Sequence, residues 1–149
     1  MNRATTANWN KQRYFDDVAI GDELPSITIP ITLQRLVMEA GANRDLSLIH
    51  HDNDVAKATG APGAYANTFF LMGMFERLLR EWMGLQGKLK KISSLRMATF
   101  NAAGDLLRFH GTVKQQLDNK CVVLDLCAKS DRGITVTAEA TVELPRRSV

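Results

Sequence analysis

Asp45 and His50 are five residues apart in a polar stretch, 43–54, that also holds Arg44, His51 and Asp52. A carboxylate and an imidazole on one loop can converge on a single water, take a proton from it and return one to a substrate carbon. An anionic Asp also sets the imidazole tautomer and raises its basicity. Residue type alone leaves competitors: Asp45 adjoins Arg44 and fits a surface ion pair, and His51 with Asp52 offers the same chemistry. His110, between Phe109 and Gly111 in a strand pattern, reads as structural. No group of His, Cys, Asp and Glu has metal-ligand spacing, so no metal site is expected. Nor does a phosphate loop follow a strand at Gly60-Ala61-Pro62-Gly63.

Such a pair works only if rigid elements hold it. Before it, Ser26 to Ile31 alternates Ile with smaller or polar residues, a strand pattern that Pro30 confines to an edge or a strand end. Thr32 can cap a helix in which Leu33, Leu36, Val37 and Ala40 recur at helical spacing, with Gly41 near its stop. After the polar stretch comes a short helical piece over 55–59, then the longest helix, over 68–83. Phe69, Met72, Phe75, Leu78 and Leu79 make its stripe, and Phe70, Leu71 and Met74 widen it. A helix end apolar nearly all round must be surrounded by other structure, so the whole stripe is expected in the core. Beyond Gly84 and Gly87, strand patterns cover 88–100, 105–117, 120–130 and 133–144, separated by turns at 103–105, 118–120 and 131–133. Val122, Leu124 and Leu126 share one face, and Ile134, Val136, Ala138, Ala140 and Val142 another. One curved antiparallel sheet around one buried helix buries these faces economically, an α+β arrangement. The small residues Gly60, Ala61, Gly63, Ala64 and Ala66 fit either a roomy cavity entrance or a tight turn.

The 149 residues suit one domain, read as a loose arm over 1–13 and a folded unit over 14–149. A net charge of +3 is too small and scattered to argue for nucleic acid, though it suits an anionic small molecule. Met1 to Gln12 lacks an apolar core of signal-peptide length, and Asn67, Glu76 and Arg77 interrupt the most apolar run. A soluble cytoplasmic protein without a membrane span is expected. Cys121 and Cys127, six apart on one strand face, are too distant to bridge and are expected as free thiols.

The run Asp45-x-Ser47-x-Ile49-His50-x-Asp52, followed by Ala56 and Gly60, resembles the hydratase-2 motif of MaoC-like (R)-specific enoyl-CoA hydratases, Asp-x-Asn-Pro-(Ile/Leu)-His-x-Asp. Tyr14-Phe15-Asp16-Asp17, with Gly21-Asp22 after it, is similar to the lead-in of that family, and the likeness runs from about residue 14 to 144. The doubled His50-His51-Asp52 after Arg44-Asp45 looks like the MaoC-like subunits of actinobacterial steroid side-chain hydratases.

The resemblance implies a hot-dog fold, an antiparallel sheet wrapped around the long helix. It also implies water addition to a trans-2-enoyl-CoA to give an (R)-3-hydroxyacyl-CoA, or the reverse, with the coenzyme A thioester as substrate and no separate cofactor. The motif's roles carry to Asp45 and His50 as the groups that hold and activate water, and to the backbone N–H of Thr68 as oxyanion donor at a helix N-terminus. Ser47, His51, Asp52 and Asn67 would support the loop. Two departures stand out: Ser47 replaces the motif's Asn, and Asn67-Thr68 replaces a His-Gly before the buried helix. Lys88, Lys90, Lys91 and Arg96 are candidates for the coenzyme A phosphates, or else a solvated strand edge. The implied assembly is a homodimer, or a heterodimer with another MaoC-like chain. Two other readings keep the fold: an acyl-CoA thioesterase using a helix carboxylate such as Glu76 or Glu81, and a non-catalytic partner subunit.

Overall fold

In the computed structural model, residues 11–148 are described. The order is strand β1 (Ile27–Pro30), helix α1 (Leu33–Asn43), helix α2 (Asn53–Ala58), helix α3 (Thr68–Met83), then β2 (Lys88–Met97), β3 (Leu106–Gln116), β4 (Cys121–Ser130) and β5 (Gly133–Glu143). The strands form one antiparallel sheet in the order β1-β3-β4-β5-β2. Pro30 is the last residue of an edge strand, where no ladder N–H is needed. Thr32 caps α1 by accepting a hydrogen bond from Arg35 N.

The sheet wraps one face of α3. Leu71, Phe75, Leu78, Leu79 and Met83 are fully enclosed against Leu107, Phe109, Val113, Leu124, Val136 and Val142. Each such large apolar side chain contributes about 1.5–3 kcal/mol on burial. Phe75 meets Phe109 edge to face at 5.3 Å between centroids. The alternation of strand residues explains this: Val122, Leu124 and Leu126 on β4 point at the helix together with Val136, Ala138, Ala140 and Val142 on β5.

Two apolar assignments change. Ile134 is 51% exposed, because pairing jumps from Ala128–Val136 to Lys129–Ile134 and Thr135 becomes the extra residue of a bulge. Thr135 is buried instead, its hydroxyl donating to Ala128 O. On α3, Phe69 and Met72 are 61% and 37% exposed, so the stripe is core only from Leu71 onward along the sheet-facing side. Met38 on α1 is also open.

Of the residues read as a loose arm, 1–10 lie outside the described residues. Residues 11–13 run along the end of α3: Gln12 Nε2 donates to Met83 O, and the Arg13 guanidinium stands 5.7 Å from the Trp82 ring. Gly84 ends the helix at φ +78, with the backbone of Lys11 and Gln12 2.9 Å from where a Cβ would sit, so only glycine fits. Cys121 and Cys127 lie toward opposite ends of β4, both free. Among the described residues no helix is long and apolar enough to cross a membrane.

Candidate active site

The end of α1 delivers Asp45. Arg44 takes a left-handed conformation (φ 56), which turns the chain so that Asp45 N donates to Ala40 O at 2.9 Å. A single 3-10 turn, Leu48–His50, then brings His50 back beside it. His50 Nε2 lies 3.2 Å from Asp45 Oδ2, with the imidazole buried and the carboxylate partly open. The ion pair between Asp45 and Arg44 considered above is not made; among the described residues the Asp45 carboxylate bonds only to His50, Asn67 and Ser47 N.

The tautomer follows from a backbone carbonyl. His50 Nδ1 is 2.7 Å from Tyr65 O, which can only accept, so Nδ1 carries a hydrogen. Nε2 is therefore the nitrogen left to face Asp45, and one proton on the Nε2–Oδ2 contact satisfies both groups. The Tyr65 ring packs edge-on against His50 at 5.4 Å and in turn against Phe100 at 4.8 Å. Nothing local in the sequence marked Tyr65, since the contact is made by its main chain across 15 residues.

The segment 64–67 is pinned from both sides. Ala64 N donates to Asn53 Oδ1 and Tyr65 N to Ile49 O, while Ala66 N donates to Asn101 O. Ala61, Ala64 and Ala66 are buried, and a Cβ on Gly63 would sit 3.0 Å from Asn53 Oδ1. The small residues thus make a tight turn rather than an open entrance. Asn101 is itself buried, and its side-chain amide has no hydrogen-bond partner among the described residues.

Asn67 closes the arrangement. Its Oδ1 caps α3 by accepting from Phe70 N at 2.8 Å, and its Nδ2 donates to Asp45 Oδ2 at 3.1 Å. The Thr68 N–H at the head of α3 has no acceptor among the described residues, and Thr68 is exposed. Free N–H groups and the helix dipole favour negative charge there. Behind Asn67 lies a residue that sequence reasoning passed over: Glu39, buried on α1, accepts from Asn67 N at 3.2 Å and Asn43 Nδ2 at 3.0 Å. Burial pushes its carboxyl above the usual Glu range, opposed by those two hydrogen bonds. A lone Glu at a helical position reads as solvent-facing, and only the packing of α1 against α3 shows otherwise.

The other named residues fall in varied places. Asp52 caps α2, accepting from Asp54 N and Val55 N. Ser47 joins through its main chain, its N–H reaching toward Asp45 Oδ1 at 3.4 Å. His51 is half-buried and ends the 3-10 turn, its N–H donating to Leu48 O. Lys88, Lys90, Lys91 and Arg96 line the edge strand β2, where Lys88 and Lys90 both approach Glu143, at 3.9 and 3.2 Å. His110 sits on β3 opposite Cys127, away from the pair, its pKa lowered chiefly by burial. Among the described residues no cluster of three or more metal-ligating side chains occurs.

The sheet and the helix it wraps define a hot-dog protein. No family model matches the chain. It is 30% identical, over 128 residues, to the 3-oxo-4,17-pregnadiene-20-carboxyl-CoA hydratase beta subunit of Mycobacterium tuberculosis, covering 86% of this chain and 96% of that one. A chain of the ChsH1-ChsH2 complex from the same organism superposes with a TM-score of 0.81 at 26% identity, covering 85% of this chain and 98% of that one. A MaoC-like dehydratase matches with a TM-score of 0.82 at 26% identity, over 89% of this chain and 42% of the other. With that coverage and identity, the chain belongs to the MaoC-like hydratase/dehydratase family.

Proposed function

We propose that this protein is a cytoplasmic hydratase that converts a trans-2-enoyl-CoA into the (R)-3-hydroxyacyl-CoA, and runs the reverse dehydration, with no cofactor beyond the thioester. The observation that carries the reading is the Asp45–His50 contact of 3.2 Å, tied through Asn67 to the open N-terminal end of α3. A water bound by Asp45 and His50 loses a proton to the pair as its oxygen bonds to C3. The C2=C3 electrons move toward the thioester, and C2 takes a proton from the pair. One proton enters and one leaves, so the single proton on the Nε2–Oδ2 contact serves every turnover. The Thr68 N–H meets the thioester oxygen as negative charge grows on it.

The Asn67-Thr68 departure from His-Gly supports an intact site rather than a decayed one, because Asn67 orients Asp45. Glu76 and Glu81 are engaged with Arg80 and Arg77, each at 2.7 Å, which weighs against a thioesterase using a helix carboxylate. The named relative is the beta subunit of a pregnadiene-carboxyl-CoA hydratase, so a bulky polycyclic enoyl-CoA is the substrate class we favour. A second MaoC-like chain, as in the two-chain complex it resembles, is the assembly we favour.

The test is loss of enoyl absorbance with crotonyl-CoA and with a polycyclic enoyl-CoA, for wild type, Asp45→Asn and His50→Ala. Wild-type turnover that drops by about 10²-fold or more in each variant is expected from the size of acid–base contributions. Full rate in either variant, or thiol release in place of hydration, would overturn the reading.

A further inference from the structure

Glu39 takes no part in the reaction as written, yet it is joined to it by two hydrogen bonds. Its carboxylate holds Asn67 N and Asn43 Nδ2, and Asn43 also reaches Asn67 Oδ1 at 3.4 Å. With its backbone held by Glu39 and its Oδ1 committed to the Phe70 N–H, the Asn67 side chain has one direction left for its NH₂, toward Asp45 Oδ2. A carboxylate 8% exposed is costly to keep inside a fold. The α1 helix does not depend on it for termination, since Thr32 closes one end and the left-handed Arg44 the other.

Glu39 also borders a cavity of about 490 Å³ with Arg35, Met38 and Phe70. The charged groups that act on it are His50 and Asp45 from the stretch after α1. Arg35 borders the same cavity from its own helix, and α3 presents only Phe70 there.

We propose that Glu39 is a positioning residue for the hydration: by holding Asn67 it keeps Asp45 aimed at His50 and keeps the head of α3, with its free Thr68 N–H, in place. This rests on the hydratase reading above. Glu39 touches neither water nor substrate, and it acts only through Asn67. Glu39→Gln keeps the volume and one acceptor for Asn67 N, but it sets an NH₂ against Asn43 Nδ2 and removes the charge.

The experiment is a kinetic cycle of wild type, Glu39→Gln, Asn67→Ser and the double variant, each first shown to be folded by circular dichroism. Asn67→Ser keeps a capping oxygen for α3 but cannot reach Asp45. Expected is a fall in kcat of about tenfold in Glu39→Gln, with KM within about twofold, because misorientation slows the chemical step rather than binding. In the Asn67→Ser background the same change costs less than about twofold, because the route through the amide is already cut. Equal costs in both backgrounds, or an unchanged kcat, would overturn the inference while leaving the hydratase reading standing. A second measurement is independent of turnover: the Asn67 side-chain amide protons should exchange slowly in wild type, held by Asp45, and faster in Glu39→Gln. Unchanged exchange refutes the linkage. A wild type with no hydratase activity refutes the catalytic role together with the hydratase reading, while the exchange data still decide the linkage.

Discussion

Replacing Asn67 by Ala tests stability and catalysis together. Asn67 is 4% exposed, and its side chain makes two good hydrogen bonds: it accepts from Phe70 N at 2.8 Å and donates to Asp45 Oδ2 at 3.1 Å. Losing a helix cap costs about 1 kcal/mol. Losing a hydrogen bond to a carboxylate costs roughly 1.5–3 kcal/mol where the partner is buried, and Asp45 is partly open, so the low end applies. The sum is about 2.5 kcal/mol, which for a domain of 149 residues lowers Tm by roughly 5–10 °C. Asn67→Ser retains a capping oxygen and should recover about 1 kcal/mol of this loss. Chemical denaturation followed by circular dichroism measures the stability, and enoyl absorbance measures kcat on the same samples. Both variants should lose activity by similar factors, because neither reaches Asp45, while their stabilities differ. If Ala and Ser are equally destabilising, the cap does not hold α3. If either variant keeps wild-type kcat, Asp45 does not rely on Asn67.

Two further outcomes are expected. Glu39 has its carboxyl raised above 4.5 by burial, so its stability contribution is fully present below that value and is lost as pH rises through the raised one. Glu39→Gln, which does not ionise, should therefore gain on wild type in denaturation midpoint between pH 4 and pH 7; a difference that stays flat or shrinks with rising pH would contradict this. On β2, Lys88 and Lys90 face Glu143, whereas Lys91 and Arg96 have no ion-pair partner among the described residues. If these cations meet coenzyme A phosphates, Lys91→Glu with Arg96→Glu should raise KM for an enoyl-CoA by about tenfold and leave KM for the matching pantetheine thioester unchanged; an equal change in both would make the run a solvated edge.

The elements around the site were legible because their signals are local. Thr32 and the 68–83 helix were readable from capping chemistry and apolar spacing, and each is found where that chemistry put it. Asp45 and His50 were singled out by the motif resemblance, since type and spacing alone left His51 and Asp52 as competitors; one short turn closes their five-residue spacing. The supporting groups were not legible in the same way. Tyr65 acts through a carbonyl, which every residue has, and Glu39 is 28 residues from the N–H it accepts. Ile134 and Thr135 exchanged faces through a one-residue bulge, which strict alternation cannot anticipate.

What the sequence by itself determined is the inventory: a carboxylate and an imidazole on one loop, a long apolar helix, and strands able to cover it. Those follow from backbone periodicity and short-range capping, which act within a few residues. Tertiary structure decided the rest: the strand order β1-β3-β4-β5-β2, the side of α3 that stays open at Phe69 and Met72, and the burial of Glu39 behind the reacting pair. Period and propensity say which residues share a face. Which face is covered, and which hydrogen bond a buried polar group must find there, depends on segments that meet only when the chain has closed on itself.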